Sequence, residues 1–73
     1  MSPRKVYWIG TEYPDCQVCH RPFLGVMYDA GLPGAGWGCI CKNCFLEYGC
    51  RLGTGHGQKY ELQKDKRWLK TGG

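Results

Sequence analysis

Long apolar runs are missing from these 73 residues, and acid is scarce: six Asp and Glu stand against ten Lys and Arg. The opening MSPRKVYWIG carries two basic residues and then mixed side chains. It has neither the apolar centre of a signal peptide nor the length of a membrane span. An intracellular protein with no membrane association is therefore expected. Histidine is nearly absent, with only His20 and His56. No Ser/His/acid arrangement stands in a recognisable context, which argues against a hydrolytic enzyme. No βαβ pattern surrounds either C-x-x-C pair, as a thioredoxin-type redox site requires.

What the chain does have is cysteine. Four of the six lie in CICKNCFLEYGC, from Cys39 to Cys50, and the other two are in DCQVCH. In a reducing compartment, cysteines in a short chain are more often metal ligands or free thiols than disulfides. A disulfide framework remains the alternative. Cys16 and Cys19 form one C-x-x-C, and Cys41 and Cys44 form another, at a separation close to that of paired zinc knuckles. Two residues between cysteines let a tight turn aim both thiolates at one point, and two such turns complete a tetrahedron around one structural Zn2+. Cys39 and Cys50 are then spare. Cys39 shares a strand face with Cys41 and is the competing ligand; His20 and His56 rank below it. A spare thiol such as Cys50 beside a histidine is a distant candidate for a nucleophile, and a buried inert thiol is the ordinary reading.

Size makes the metal matter. A hydrophobic core in so short a chain rarely supplies more than about 3 to 5 kcal/mol, whereas structural zinc in finger peptides contributes about 10 to 16 kcal/mol. The fold is expected to depend on its metal. The formal charge of +4 counts the cysteines as neutral. Four thiolates and Zn2+ bring it to about +2, so basicity alone is a weak argument for nucleic acid.

The expected layout is a small, metal-stabilised, mainly β, zinc-ribbon-like domain over 1–63, followed by a basic, partly disordered tail over 64–73. KVYWI, Lys5 to Ile9, is rich in β-branched and aromatic residues and reads as a first strand. RPFLGVMYDA reads as a second strand. GLPGAG is turn chemistry leading into WGCIC, which gives a hairpin with the metal site at one end. KNCFLEYG predicts about two helical turns from near Asn43, with Gly49 at the C′ position. RLGTGHGQKY is expected to be a loop. Its Gly53, Gly55 and Gly57 fit neither G-x-x-x-x-G-K-[ST] nor G-x-G-x-x-G, so they are read as serving the backbone through positive φ or a close approach.

From Asp29 to Tyr60, DAGLPGAGWGCICKNCFLEYGCRLGTGHGQKY resembles a group of short phage and prophage proteins. These carry a paired C-x-x-C, a Gly/Pro-Trp segment running into C-x-x-C-F, and then Y-G-x-x-L-G-x-G-x-G-Q-x-Y. The resemblance places the metal ligands on Cys16, Cys19, Cys41 and Cys44, the tryptophan on Trp37 and the glycine loop on Gly53, Gly55 and Gly57. GAGWG stands where the group has a Gly-Pro-Trp turn, and Cys39 and Cys50 fall where it has no cysteine. In length and character the chain is also similar to small phage regulators that bind host RNA polymerase. That likeness implies a non-enzymatic, monomeric regulator in the cytoplasm of the infected bacterial host, which inhibits promoter-dependent transcription and prevents termination.

The residues offer surfaces for such a partner. KVYWI is apolar on both faces, so its edge or one face is available for strand addition. Arg4, Lys5, Val6, Tyr7, Trp8 and Ile9 are the expected partner-binding residues. A second reading is a zinc-ribbon nucleic-acid-binding protein that uses the 51–59 loop and the tail. There Trp68 would stack on a base, with Lys64, Lys66, Arg67 and Lys70 on phosphates. A solvated charged end is the plainer account of that tail.

Overall fold

The computed structural model describes residues 5–10 and 13–73. Four strands and one helix follow in the order β1 (Val26–Leu32), β2 (Gly36–Ile40), α1 (Lys42–Glu47), β3 (Gly57–Leu62) and β4 (Trp68–Gly72). The strands form one antiparallel sheet in the order β2-β1-β3-β4.

The sequence VMYDAGL makes β1 a central strand, with Met27, Tyr28 and Ala30 all buried. Because successive side chains alternate, Met27 and Tyr28 serve opposite faces. On one face Met27 stands opposite Tyr60 across the β1–β3 pair. Trp8 meets the Tyr60 ring edge-on at 5.5 Å, and Phe23 meets Trp68 in the same way at 6.0 Å. On the other face Tyr28 stacks on Phe45 of α1 at 4.2 Å. Aromatic pairs of both geometries add about 0.5 to 1.5 kcal/mol beyond the area they bury.

Turn chemistry fixes the connections. The β1–β2 hairpin closes over Pro33, Gly34 and Ala35, with Gly34 and Gly36 at positive φ. The helix ends as its sequence indicates: Gly49 (φ 67) donates to Leu46 and Cys50 donates to Phe45, the paired bonds of a glycine-terminated helix. The glycine loop is a backbone device. A Cβ on Gly57 would sit 2.8 Å from the Arg51 carbonyl and 3.2 Å from the Ala30 Cβ, so only glycine lets this segment run beside β1.

Several expectations are corrected. Lys5 to Ile9 is not a full strand. It makes a single bridge, Tyr7 with Leu69, in which Trp8 donates to the Trp68 carbonyl and Lys70 donates to the Val6 carbonyl. The second strand begins at Val26 and not at Arg21, because Leu24 (φ 53) and Gly25 (φ 83) form a turn. The loop over 51–60 gives way to β3 at Gly57. The 64–73 tail is not disordered: residues 68–72 are β4, and Trp68 belongs to the core. Charge masked the strand there, since the alternation of WLKTG follows a run of cations.

Trp68 is thus structural, whereas Lys64 is exposed on a turn. In urea unfolding of the metal-loaded protein, Trp68→Ala is expected to cost about 3 kcal/mol or more, and Lys64→Ala less than about 0.5 kcal/mol. Equal costs for the two would contradict the place given to β4.

Candidate metal centre

Two local turns deliver the thiols. In the first, Cys16 donates its N–H to the Arg21 carbonyl and His20 donates to the Cys16 carbonyl, above a bridge between Asp15 and Pro22. His20 closes the turn in the left-handed region at φ 63. The N–H groups of Val18 and Cys19 point at the Cys16 Sγ, at 3.4 and 3.5 Å. In the second, Cys41 follows β2 directly and occupies the N-cap position of α1, which puts Cys44 in the first helical turn. Gln17 joins the two: its N–H donates to the Cys39 carbonyl at 3.0 Å, and its Oε1 accepts the Cys39 N–H at 2.7 Å.

The four sulfurs of Cys16, Cys19, Cys41 and Cys44 lie within 4.8 Å of one another. Cys16 and Cys44 are 3.7 Å apart, and Cys19 and Cys41 are 3.6 Å apart. A tetrahedral ion with metal–sulfur bonds of about 2.3 Å sets its sulfurs about 3.8 Å apart. The residues present fit such a group: four cysteines, three of them buried, are positioned to bind one metal ion. With all four positions supplied by protein, the ion would cross-link the fold and keep no site for substrate.

The thiols do not share charge evenly. Burial pushes Cys16 up, but the N–H groups of Cys19, Cys41 and Val18 outweigh it and lower the thiol to about 6. Cys44 is raised, by burial first and then by its bonds to the neighbouring sulfurs. Cys19 is also raised, although the Arg21 N–H favours its thiolate; burial and the adjacent sulfurs prevail. A Cys16 thiol lowered beside the raised Cys19 and Cys44 is the arrangement a metal would displace.

The spare cysteines lie apart from the cluster. Cys39 is buried and pushed up to about 11, by burial first and then by the Asp29 carboxylate opposite it on β1. Cys50 Sγ donates to the Gly31 carbonyl at 3.7 Å. His20 and His56 are exposed and outside the cluster. Sequence reasoning missed Gln17, which joins the two turns, because a polar residue inside C-x-x-C carries no spacing signal of its own.

Arg4 lies outside the described residues. Lys5 and Ile9 are exposed, and Val6 is half-exposed. Trp8 is packed against the core. Tyr7 lies beneath the Arg67 guanidinium, 4.0 Å from ring centre to cation. Arg67 also pairs with Asp65 at 2.8 Å, and its N–H and guanidinium hold the Asp65 carboxyl below the usual range. Lys64 and Lys66 are exposed, Lys70 is half-buried, and Trp68 is buried and not on a solvated end. The N-terminal segment and the basic segment, read from sequence as separate surfaces, are neighbours. No helix among the described residues is long and apolar enough to cross a membrane.

Fold and site together define a small, mainly β domain with four cysteines positioned to bind one metal ion. No family model matches the chain, and neither curated proteins nor solved structures give a match.

Two tests follow from the geometry. Cys16→Ser and Cys44→Ser are expected to lose bound metal, measured as metal per folded chain, while Cys39→Ser and Cys50→Ser keep it; the reverse pattern overturns the ligand set. Metal entry must also displace the protons that Cys19 and Cys44, both raised, carry at neutral pH. Apparent affinity should therefore rise with pH, by at least about a hundredfold per unit near neutrality, in competition with a chelator of known proton affinity. A flat profile would rule out this proton release.

Proposed function

We propose that the protein is a zinc-stabilised, non-enzymatic regulator of phage type. It binds host RNA polymerase in the cytoplasm of the infected bacterium, inhibits promoter-dependent transcription and prevents termination. Zinc is the natural ion for four thiolates in a closed site. The likeness of the Asp29 to Tyr60 segment to short phage proteins supports the setting, and the chain's length and character support the polymerase as partner.

The observation that carries a protein partner is the backbone at Tyr7. Trp8 and Val6 turn their polar groups inward to β4, so Tyr7 turns its N–H and carbonyl outward. Among the described residues, neither has a hydrogen-bond partner. Ile9, 98% exposed, and Val6, 47% exposed, flank this edge. An extended segment of a partner could add there, its backbone bonding to Tyr7 and its side chains meeting the apolar flanks. The alternative, a nucleic-acid-binding role, is less well served: Trp68 is buried and Arg67 is engaged by Asp65 and Tyr7.

Tyr7→Pro removes the outward N–H while leaving the bonds of Val6 and Trp8 to β4 in place. With zinc content and amide dispersion unchanged, it is expected to weaken polymerase binding by about tenfold or more and to relieve inhibition of a host promoter in vitro. Ile9→Asp should act in the same direction. If both variants bind and inhibit as the parent does, the contact lies elsewhere. Tight, sequence-selective DNA or RNA binding with a steep salt dependence would favour the alternative.

A further inference from the structure

We propose that the groove between the exit of the first cysteine turn and the start of α1 is a docking site for an extended acidic peptide carrying an apolar side chain. It uses different residues from the Tyr7 edge and does not depend on the polymerase reading. The groove holds about 420 Å³, within the range of small-ligand sites. Pro22, Phe23, Leu24 and Val26 supply an apolar lining.

Leu24 is the telling residue. It is 90% exposed and sits at φ 53, followed by Gly25 at φ 83. The left-handed region is an unfavourable conformation for a residue other than glycine. Here that conformation presents a bare aliphatic side chain to solvent beside a cavity, which adds nothing to the core. Cover by a partner's side chain would recover the apolar area.

Charge selects the partner. Arg21 and Lys42 stand on the rim, both exposed, with Asn43 beside them. The ion pair among the described residues joins Arg67 to Asp65, so no described carboxylate answers these two cations. Carboxylates on either side of a buried aliphatic or aromatic residue would complement them. A nucleic acid fits less well. Stacking needs an open aromatic face, and the aromatic ring of the lining, Phe23, is 6% exposed and already meets Trp68.

The test is an amide-resolved NMR titration of the zinc-loaded, isotope-labelled full chain. The probe is an acetylated, amidated tripeptide of leucine flanked by two glutamates. Controls carry lysine in place of glutamate, or alanine in place of leucine. The glutamate–leucine peptide is expected to bind with a dissociation constant on the order of 1 mM and to shift the amides of Phe23, Leu24, Val26 and Lys42. The lysine-flanked control should not, and the alanine control should bind at least about fivefold more weakly. Arg21→Glu with Lys42→Glu, both at exposed positions, should transfer the preference to the lysine-flanked peptide. Leu24→Ala should weaken the parent interaction while leaving the charge preference intact. The proposal is overturned by an absence of shifts up to about 10 mM peptide, by equal response to both charged peptides, or by a preference that survives the charge reversal. Saturation of the same amides by a thymidine oligonucleotide at lower concentration would overturn the peptide class.

Discussion

Everything in this domain hangs on the meeting of two short turns. Cys16 and Cys19 arrive on a loop with little regular structure of its own, whereas Cys41 and Cys44 sit where the sheet passes into the helix. Sulfurs separated by 3.6 and 3.7 Å bind the irregular part to the regular part. Four thiols so close together, with one proton affinity lowered and others raised, are poor company without an ion. A metal would turn that sharing into a cross-link between residues 16–19 and 41–44. The Gln17–Cys39 exchange of hydrogen bonds then sets how the first turn lies along β2. Both aromatic layers follow, because the chain leaving the first turn carries Phe23 to Trp68, and the helix that begins at the second carries Phe45 to Tyr28.

The four-cysteine cluster was legible because spacing alone brings two thiols to one point, and four were available at the right separation. The helix end was legible because Gly49 takes a backbone conformation other residues avoid. The sheet was harder to read. Val26 opens a strand that the preceding Leu24-Gly25 pair interrupts, and nothing in a leucine announces positive φ. At the other end, Trp68 and Leu69 follow Lys64, Asp65, Lys66 and Arg67 so closely that a local window registers a solvated charge run. The partner of β4 is β3, which begins inside an apparent glycine loop. Each strand is recognisable only when its neighbour is known, as pairing energy resides in cross-strand contacts and not in one segment.

The place given to the aromatics changed for a related reason. In KVYWI, alternation correctly separates Tyr7 from Trp8, but it cannot say which faces inward. The bridge to β4 decides: Trp8 reaches the Tyr60 ring, and Tyr7 lies under Arg67. The guanidinium read as meeting phosphate is held by a ring and a carboxylate at an exposed site, where solvent screens such contacts. Their effect is more positional than energetic, since they tie the turn over 63–67 to the N-terminal segment.

A four-stranded sheet has two outer edges, and exposed edges invite pairing with other chains. The two are treated differently here. Along β2, the outward polar groups of Cys39 are both taken by Gln17, from a turn anchored at the metal cluster. Along β4, the cover is the short segment through Val6, Tyr7 and Trp8, held by two backbone hydrogen bonds and one aromatic contact. That cover does not abolish the edge; it moves it outward by one strand, to the N–H and carbonyl of Tyr7. Gln17 thus covers the β2 edge at Cys39, whereas the other side of the sheet is extended outward to Tyr7. Addition of a partner strand at Tyr7 would lengthen the order β2-β1-β3-β4 without disturbing the thiols beside β2, so strand addition and metal binding would be separable.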